Sequence, residues 1–136
     1  MYKFSYQIRV CYADTDQMGY VYYGNYARYY EIARVEALRN LGFSYKQLEA
    51  SGVMMPVYDL HTRYLQAARY DDLLTVEVFV KEMPKVRMIF DYEIFNESKS
   101  LLTTGSTTLV FINMINSRLC LIPEALAKKL AIFFND

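Results

Sequence analysis

The sequence predicts an α+β fold, one long helix laid against an antiparallel β-sheet, in a single domain spanning residues 1–136. Three observations predict it. Only one long stretch, from about Gly24 to Leu41, keeps apolar residues at three-to-four spacing. Most of the chain beyond it alternates with period two, as strands do. Strands and helices do not take turns along the chain, which argues against a doubly wound parallel sheet. No repeat, linker or low-complexity segment divides the chain.

Residues 4–12, FSYQIRVCY, alternate and are rich in β-formers, so they read as the first strand. Residues 13–20, ADTDQMGY, carry loop and helix-capping chemistry. In the helical stretch Tyr26, Tyr29, Tyr30, Ala33, Leu38 and Leu41 share a face, and Gly42 marks its stop. Ser44 can cap a short second helix that Gly52 closes. Pro56 to Leu65 reads as a strand of mixed polar and aromatic residues, and 67–72 as a connection. Leu74, Val76, Val78 and Val80 form one face of the next strand, and Pro84 places a turn near 83–85. Val86, Met88, Phe90, Tyr92 and Ile94 form the face after that, and NESK at 96–99 makes a hairpin turn. Leu101 to Met114 reads as one long strand with Gly105 as a bulge, and 116–118 turn the chain again. Pro123 begins a last helix running to about Phe134, with Glu124 near its positive end. The second sheet face, carrying Thr75, Phe79, Thr103 and Thr107, is poor in charge and predicts a dimer.

Lys plus Arg and Asp plus Glu are equal at 15 each, and no run of like charge occurs. Such a chain has no global field for nucleic acid. No apolar run is long enough to span a bilayer, so stable membrane insertion is not expected. Cys11 and Cys120 are far apart and read as reduced thiols, and the N-terminus lacks the apolar core of a signal peptide. The expected compartment is the cytoplasm.

The inventory of reactive groups is short. His61 is the only histidine, no G-x-S-x-G elbow occurs, and no His/Cys/carboxylate cluster suggests a metal. No glycine-rich phosphate loop occurs either, so no cofactor is expected. What remains is Asp14-Thr15-Asp16, with Gly19 before the helix. Helix capping accounts for one acidic residue near the helix start, but not for Asp16 several residues upstream with Tyr20 to Tyr23 between. Pattern alone leaves function and capping both open.

The stretch YADTDQMGYVYYGNY, Tyr12 to Tyr26, resembles the signature of the 4-hydroxybenzoyl-CoA thioesterase family. It is closest to the branch of acyl-CoA thioesterases associated with the bacterial Tol-Pal cluster. Tyr30, Glu31, Ala33 and Arg34 are similar to that family's helix, and Ala68 to Val76 resemble its strand entry. The resemblance covers nearly the whole chain. It implies a hotdog fold, dimers and often tetramers of dimers, and active sites at the dimer interface. It implies an acyl-CoA or acyl-carrier-protein thioester as substrate.

Two roles carry over with the resemblance. Asp16 stands at the family's catalytic carboxylate. Tyr23 stands where a backbone N–H polarises the thioester carbonyl, as a helix N-terminus can. Many members of the closest branch have His at this position, so a side-chain proton relay is not carried over. Tyr12 matches a tyrosine that orients the carboxylate or lines the pocket. Gly19, Val21, Asn25 and Arg69 are the remaining expected substrate contacts, with Lys81, Lys85 and Arg87 as further candidates for the CoA phosphates. Met54 and Met55 are candidates to line the acyl chain. A rival reading is a non-catalytic acyl-CoA-binding hotdog module, but such a module would be expected to lack the carboxylate. A hotdog dehydratase would want His five residues after the Asp, where this chain has Val21.

Overall fold

The computed structural model describes residues 1–134, so Asn135 and Asp136 of the expected domain lie outside it. The element order is β1 (Tyr2–Arg9), α1 (Asn25–Asn40), α2 (Tyr45–Ala50), β2 (Val53–Met54), β3 (Val57–Tyr64), β4 (Leu73–Val80), β5 (Arg87–Phe95), β6 (Leu101–Val110), β7 (Ile112–Asn113) and α3 (Glu124–Ala131). Five strands form one sheet in the order β1-β4-β5-β6-β3, and β2 pairs with β7 apart from it. All neighbours run antiparallel.

Helix α1 lies across one face of the large sheet. It buries Tyr26, Tyr29, Tyr30, Ala33, Ala37 and Leu38, against a sheet face built from Leu74, Val76, Val78 and Val80 on β4 and Met88, Phe90, Tyr92 and Ile94 on β5. These are the alternating positions expected of a strand with one buried face. The tyrosines do more than fill volume, because each buried phenol needs a hydrogen-bond partner. Tyr2 on β1 donates to the Ala37 carbonyl of α1 at 2.7 Å. The Tyr30 hydroxyl meets Thr62 Oγ1 of β3 at 2.6 Å. Arg34 of α1 donates to the Tyr92 hydroxyl at 3.1 Å and to the Tyr45 hydroxyl at 2.9 Å. Burial works against the Arg34 charge, but the Tyr92 and Tyr45 oxygens around it more than offset this and hold its pKa up. Helix and sheet are thus joined by polar struts set inside an apolar core.

Several boundaries differ from expectation. β1 runs from Tyr2 to Arg9 where a strand over 4–12 was expected, and Tyr12, the last residue of the expected strand, opens a 3-10 turn over 12–14. The long strand breaks at Phe111 into β6 and β7. Pro123 caps α3 rather than opening it, and the helix stops at Ala131. Thr103 and Thr107 face the helix, fully buried, where they were expected on the outer face. Thr107 faces inward because its hydroxyl pairs with that of Tyr92 at 2.6 Å. The outer face is not poor in charge: it carries Glu77, Lys81, Asp91 and Glu93. A charge-free face therefore gives no ground for expecting a dimer.

Gly105 is not a bulge, since it stays in register opposite Tyr92 and Thr62. A Cβ there would lie 2.5 Å from the Tyr30 hydroxyl, 2.8 Å from its ring and 2.9 Å from the His61 carbonyl. Tyr30 cannot swing aside, because its ring stacks on Tyr92 at 4.3 Å and its hydroxyl is held by Thr62. Gly105→Ala is therefore an overpacking change and should lower stability by ~1–3 kcal/mol. A denaturant titration that leaves the midpoint unmoved would show that Tyr30 has room to retreat.

Candidate active site

The loop between β1 and α1 is built around Asp14. Its side chain is buried, with Oδ2 accepting from the Cys11 N–H at 3.0 Å and the Tyr29 hydroxyl at 2.9 Å. Oδ1 accepts from Arg28 at 2.7 Å. Burial alone would push this carboxyl up, but the Cys11 and Tyr29 hydrogen bonds and the Arg28 charge outweigh it and hold the pKa below the usual range. The Asp14 carbonyl accepts from the Tyr22 N–H at 2.9 Å and the Asn25 amide at 2.8 Å. Asp14 therefore pins the loop to the start of α1, a structural duty that occupies both of its oxygens.

Asp16 is placed differently. Its backbone N–H donates to the Tyr20 carbonyl at 2.8 Å, and its carbonyl accepts from the Gly19 N–H at 3.0 Å, closing a tight loop. Gly19 sits at φ +78, a conformation that favours glycine over side-chain-bearing residues. Within that loop Asp16 Oδ1 accepts from the N–H groups of Met18 at 2.9 Å and Tyr20 at 3.3 Å. No hydrogen bond engages Oδ2 among the described residues. One carboxylate oxygen is held by the backbone, and the other makes no hydrogen bond among the described residues.

Helix α1 begins at Asn25, so Tyr23 lies just ahead of the first turn. The Tyr22, Asn25 and Tyr26 amides are committed, Tyr22 to Asp14, Asn25 to the Tyr22 carbonyl and Tyr26 to the Tyr23 carbonyl, whereas the Gly24 N–H makes no backbone hydrogen bond among the described residues. The Tyr23 N–H makes no backbone hydrogen bond among the described residues. Tyr23 is 64% exposed, and its carbonyl accepts from the Tyr64 hydroxyl at 3.3 Å.

Asp16, Val21 and Tyr23 meet on one cavity of about 290 Å³. Its other walls are Met18, Tyr20 and Tyr26 from the loop and helix, and Tyr64, Leu65, Gln66 and Ala67 from the end of β3. The β3 contribution was not foreseen, because nothing in the spacing of the chain links residues 64–67 to residues 16–26. The remaining expected contacts lie around this cavity without lining it. Asn25 spends its amide on Asp14. Tyr12 is 78% exposed and packs edge-on against Tyr70 at 5.4 Å. The Arg69 guanidinium sits over the Tyr20 ring at 4.9 Å, which brings a cation beside a cavity wall. Lys81, Lys85 and Arg87 belong to the opposite end of the sheet, and Met54 and Met55 precede β3 at that far end, so within one chain none of these reaches the cavity.

A second hollow, about 550 Å³, lies on the outer sheet face beside His61, Asp91 and Ser106. These residue types suggest a hydrolytic triad, but the order across the strands is wrong. Ser106 pairs with His61 on one side and Asp91 on the other. His and Asp are therefore two strand spacings apart, roughly 9–10 Å, too far for the carboxylate to orient the ring. Among the described residues no group of three or more His, Cys, Asp or Glu side chains is gathered to hold a metal. No helix of the described residues is long and apolar enough to cross a membrane.

Residues 10–130 match the thioesterase-like superfamily. The acyl-CoA thioester hydrolase YbgC of Escherichia coli O6:H1 is 32% identical over 133 residues, 98% of this chain and 96% of that protein. The acyl-CoA thioesterase YbgC of Haemophilus influenzae is 37% identical over 99 residues, 72% of this chain and 73% of that one. The crystal structure of a DHNA-CoA thioesterase from Staphylococcus aureus superposes with a TM-score of 0.87 at 34% identity, covering 99% of this chain and 95% of that one.

Proposed function

The chain belongs to the thioesterase-like superfamily of hotdog-fold proteins, and from that premise we propose that it is an acyl-CoA thioesterase working at the cavity between Asp16 and Tyr23. The reaction splits a thioester with water into a free acid and a thiol. One observation carries the assignment of residues: Asp16, with one carboxylate oxygen held by the backbone and the other without a hydrogen bond, lines the same cavity as Tyr23, whose N–H makes no backbone hydrogen bond among the described residues. With the thioester carbonyl directed at the Tyr23 N–H, the developing oxyanion meets a preorganised donor. Asp16 Oδ2 then serves either of two routes. It attacks the carbonyl carbon and expels the thiolate, or it takes a proton from the attacking water. The tyrosine-walled cavity holds the acyl group, and Arg69 is the nearest candidate for a CoA phosphate. An acyl carrier protein presents the same thioester and is the second candidate donor. The span 1–136 acts as one domain, and a homodimer or a homotetramer is its expected assembly.

The test is hydrolysis of straight-chain and aromatic acyl-CoA thioesters, followed with a thiol-detecting reagent. Steady thiol release from at least one class is expected. Binding of acyl-CoA without release from any would instead establish the non-catalytic binding module.

A further inference from the structure

We infer that Asn25 is a positioning residue for thioester hydrolysis: its side-chain amide ties the loop that carries Asp16 to the turn that carries the Tyr23 N–H, and so sets where that donor points. This role rests on the thioesterase reading and deepens it.

The start of α1 departs from the usual chemistry of a helix N-terminus. The cap residue is most often Ser, Thr, Asp or Asn, whose side chain accepts from the first free N–H groups. Here the cap position is Gly24, which has no side chain to accept, and the first turn holds no acidic residue. Acidic residues are favoured at that end because they answer its partial positive charge. No side chain of the first turn answers it in α1, at the end of the helix that adjoins the cavity. Asn25 is a residue type that caps helices, yet it sits one position inside and acts as a donor. Its side chain meets the Asp14 carbonyl oxygen at 2.8 Å. A carbonyl can only accept, so the amide must present its nitrogen there and not its oxygen.

That contact closes a ring of hydrogen bonds. The Asp14 carbonyl also accepts from the Tyr22 N–H at 2.9 Å, and the Tyr22 carbonyl accepts from the Asn25 N–H at 2.9 Å. Tyr22 is thus held at its N–H by Asp14 and at its carbonyl by Asn25, while Asn25 is held by the same Asp14 oxygen. The Tyr22 carbonyl and the Tyr23 N–H belong to one peptide group. In a trans peptide these two point in opposite directions. With the carbonyl turned towards the Asn25 N–H, the Tyr23 N–H is turned away from the first turn of the helix.

The ring reaches the carboxylate as well, because Asp14 and Asp16 share one short loop. Other contacts hold each side by itself. The Asp16 N–H on the Tyr20 carbonyl at 2.8 Å closes the carboxylate loop, and the Tyr64 hydroxyl on the Tyr23 carbonyl at 3.3 Å holds the turn from β3. Arg28 and Tyr29 join α1 to the Asp14 side chain, but from further along the helix. Asn25 joins the two at the turn of the donor itself. Its geometry matters because a misplacement of about 1 Å between reacting groups can lower a rate by ~10²-fold.

Steady-state hydrolysis of acyl-CoA by Asn25→Ala, Asn25→Asp and Asn25→Ser tests this role. Alanine lacks the donor. Aspartate keeps the shape and suits the positive end of a helix, but its carboxylate cannot donate. Serine keeps a donor on a shorter arm. Asn25→Ala and Asn25→Asp should each lower kcat about ten- to a hundredfold with KM within about threefold, and Asn25→Ser should keep more of the rate than either. Circular dichroism and the thermal midpoint of each variant are read alongside. Added to Tyr23→Pro, Asn25→Ala should lower the rate by less than about threefold further, because the donor it positions is already gone. Rates that simply follow the thermal midpoints, a rise in KM in place of the fall in kcat, or the full loss repeated in the Tyr23→Pro background would each overturn the positioning role and leave the thioesterase reading standing. A wild-type chain that releases thiol from no acyl-CoA overturns the thioesterase reading itself, and the role of Asn25 with it.

Discussion

Asp16→Asn is expected to lower acyl-CoA hydrolysis by ~10²–10⁴ with the fold unchanged, the range for loss of a general acid–base group, and by more if the carboxylate is the nucleophile. The two carboxylate oxygens separate structure from chemistry. An asparagine carbonyl can still accept from the Met18 and Tyr20 N–H groups as Oδ1 does, so the tight loop survives. The amide nitrogen that replaces Oδ2 can neither attack a carbonyl carbon nor take a proton from water. Asp14→Asn should divide the effects the other way. It breaks an ion pair and hydrogen bonds that anchor the loop, so it should cost stability while sparing far more of the turnover. Its stability effect has a sign in pH. The Asp14 carboxyl is held below its ordinary value in the folded chain. Its stabilising contribution is therefore present at neutral pH and fades as the pH falls through ~3.9 and below. Wild type and Asp14→Asn should differ in thermal midpoint at neutral pH and converge in acid. Near-normal turnover by Asp16→Asn would sink the mechanism proposed for this cavity.

Tyr23→Pro should lose ~10²–10³ in rate, as removal of an oxyanion donor does, whereas Tyr23→Phe should stay within about tenfold of wild type. Phenylalanine keeps the N–H and nearly all of the ring. Proline lacks the N–H that makes no backbone bond among the described residues. Proline also fixes φ and restricts the residue before it, so circular dichroism of the proline variant must match wild type before its rate is compared. If Tyr23→Phe abolished turnover with substrate binding intact, the phenol would be the catalytic group and the backbone role would fall.

How much of this was legible in the residues depended on the range of the interaction. The strands at Leu74–Val80 and Met88–Ile94 were readable because alternation is local and burial follows it. The short helix after Ser44 was readable from Ser44 as its cap and Gly52 as its stop, and the structure adds that Gln47 answers Ser44 in a capping box. Thr103 and Thr107 were misplaced because their side of β6 is set by Tyr92 and the helix above, not by their own polarity. Gly105 looked like a bulge because a close-approach glycine and a bulge glycine are alike in one dimension. At the site, pattern alone left Asp16 between capping and function and the family resemblance singled it out, whereas the wall from Tyr64 to Ala67 depended on how β3 ends relative to the loop, a long-range fact.

The close approach of Tyr30 to Gly105 also bears on how this sequence can change over generations. A single nucleotide change to a glycine codon that alters the amino acid adds a side chain, and every such side chain begins with a Cβ that meets the Tyr30 ring and the His61 carbonyl. Trimming Tyr30 to phenylalanine does not open the way, since the ring carbon stays 2.8 Å from that Cβ. A side chain at residue 105 is therefore less costly in descendants that have already shrunk residue 30 and given up the strut to Thr62, although the His61 carbonyl still lies 2.9 Å from the new Cβ. One ring lying across one strand thus couples the substitutions open to the two positions.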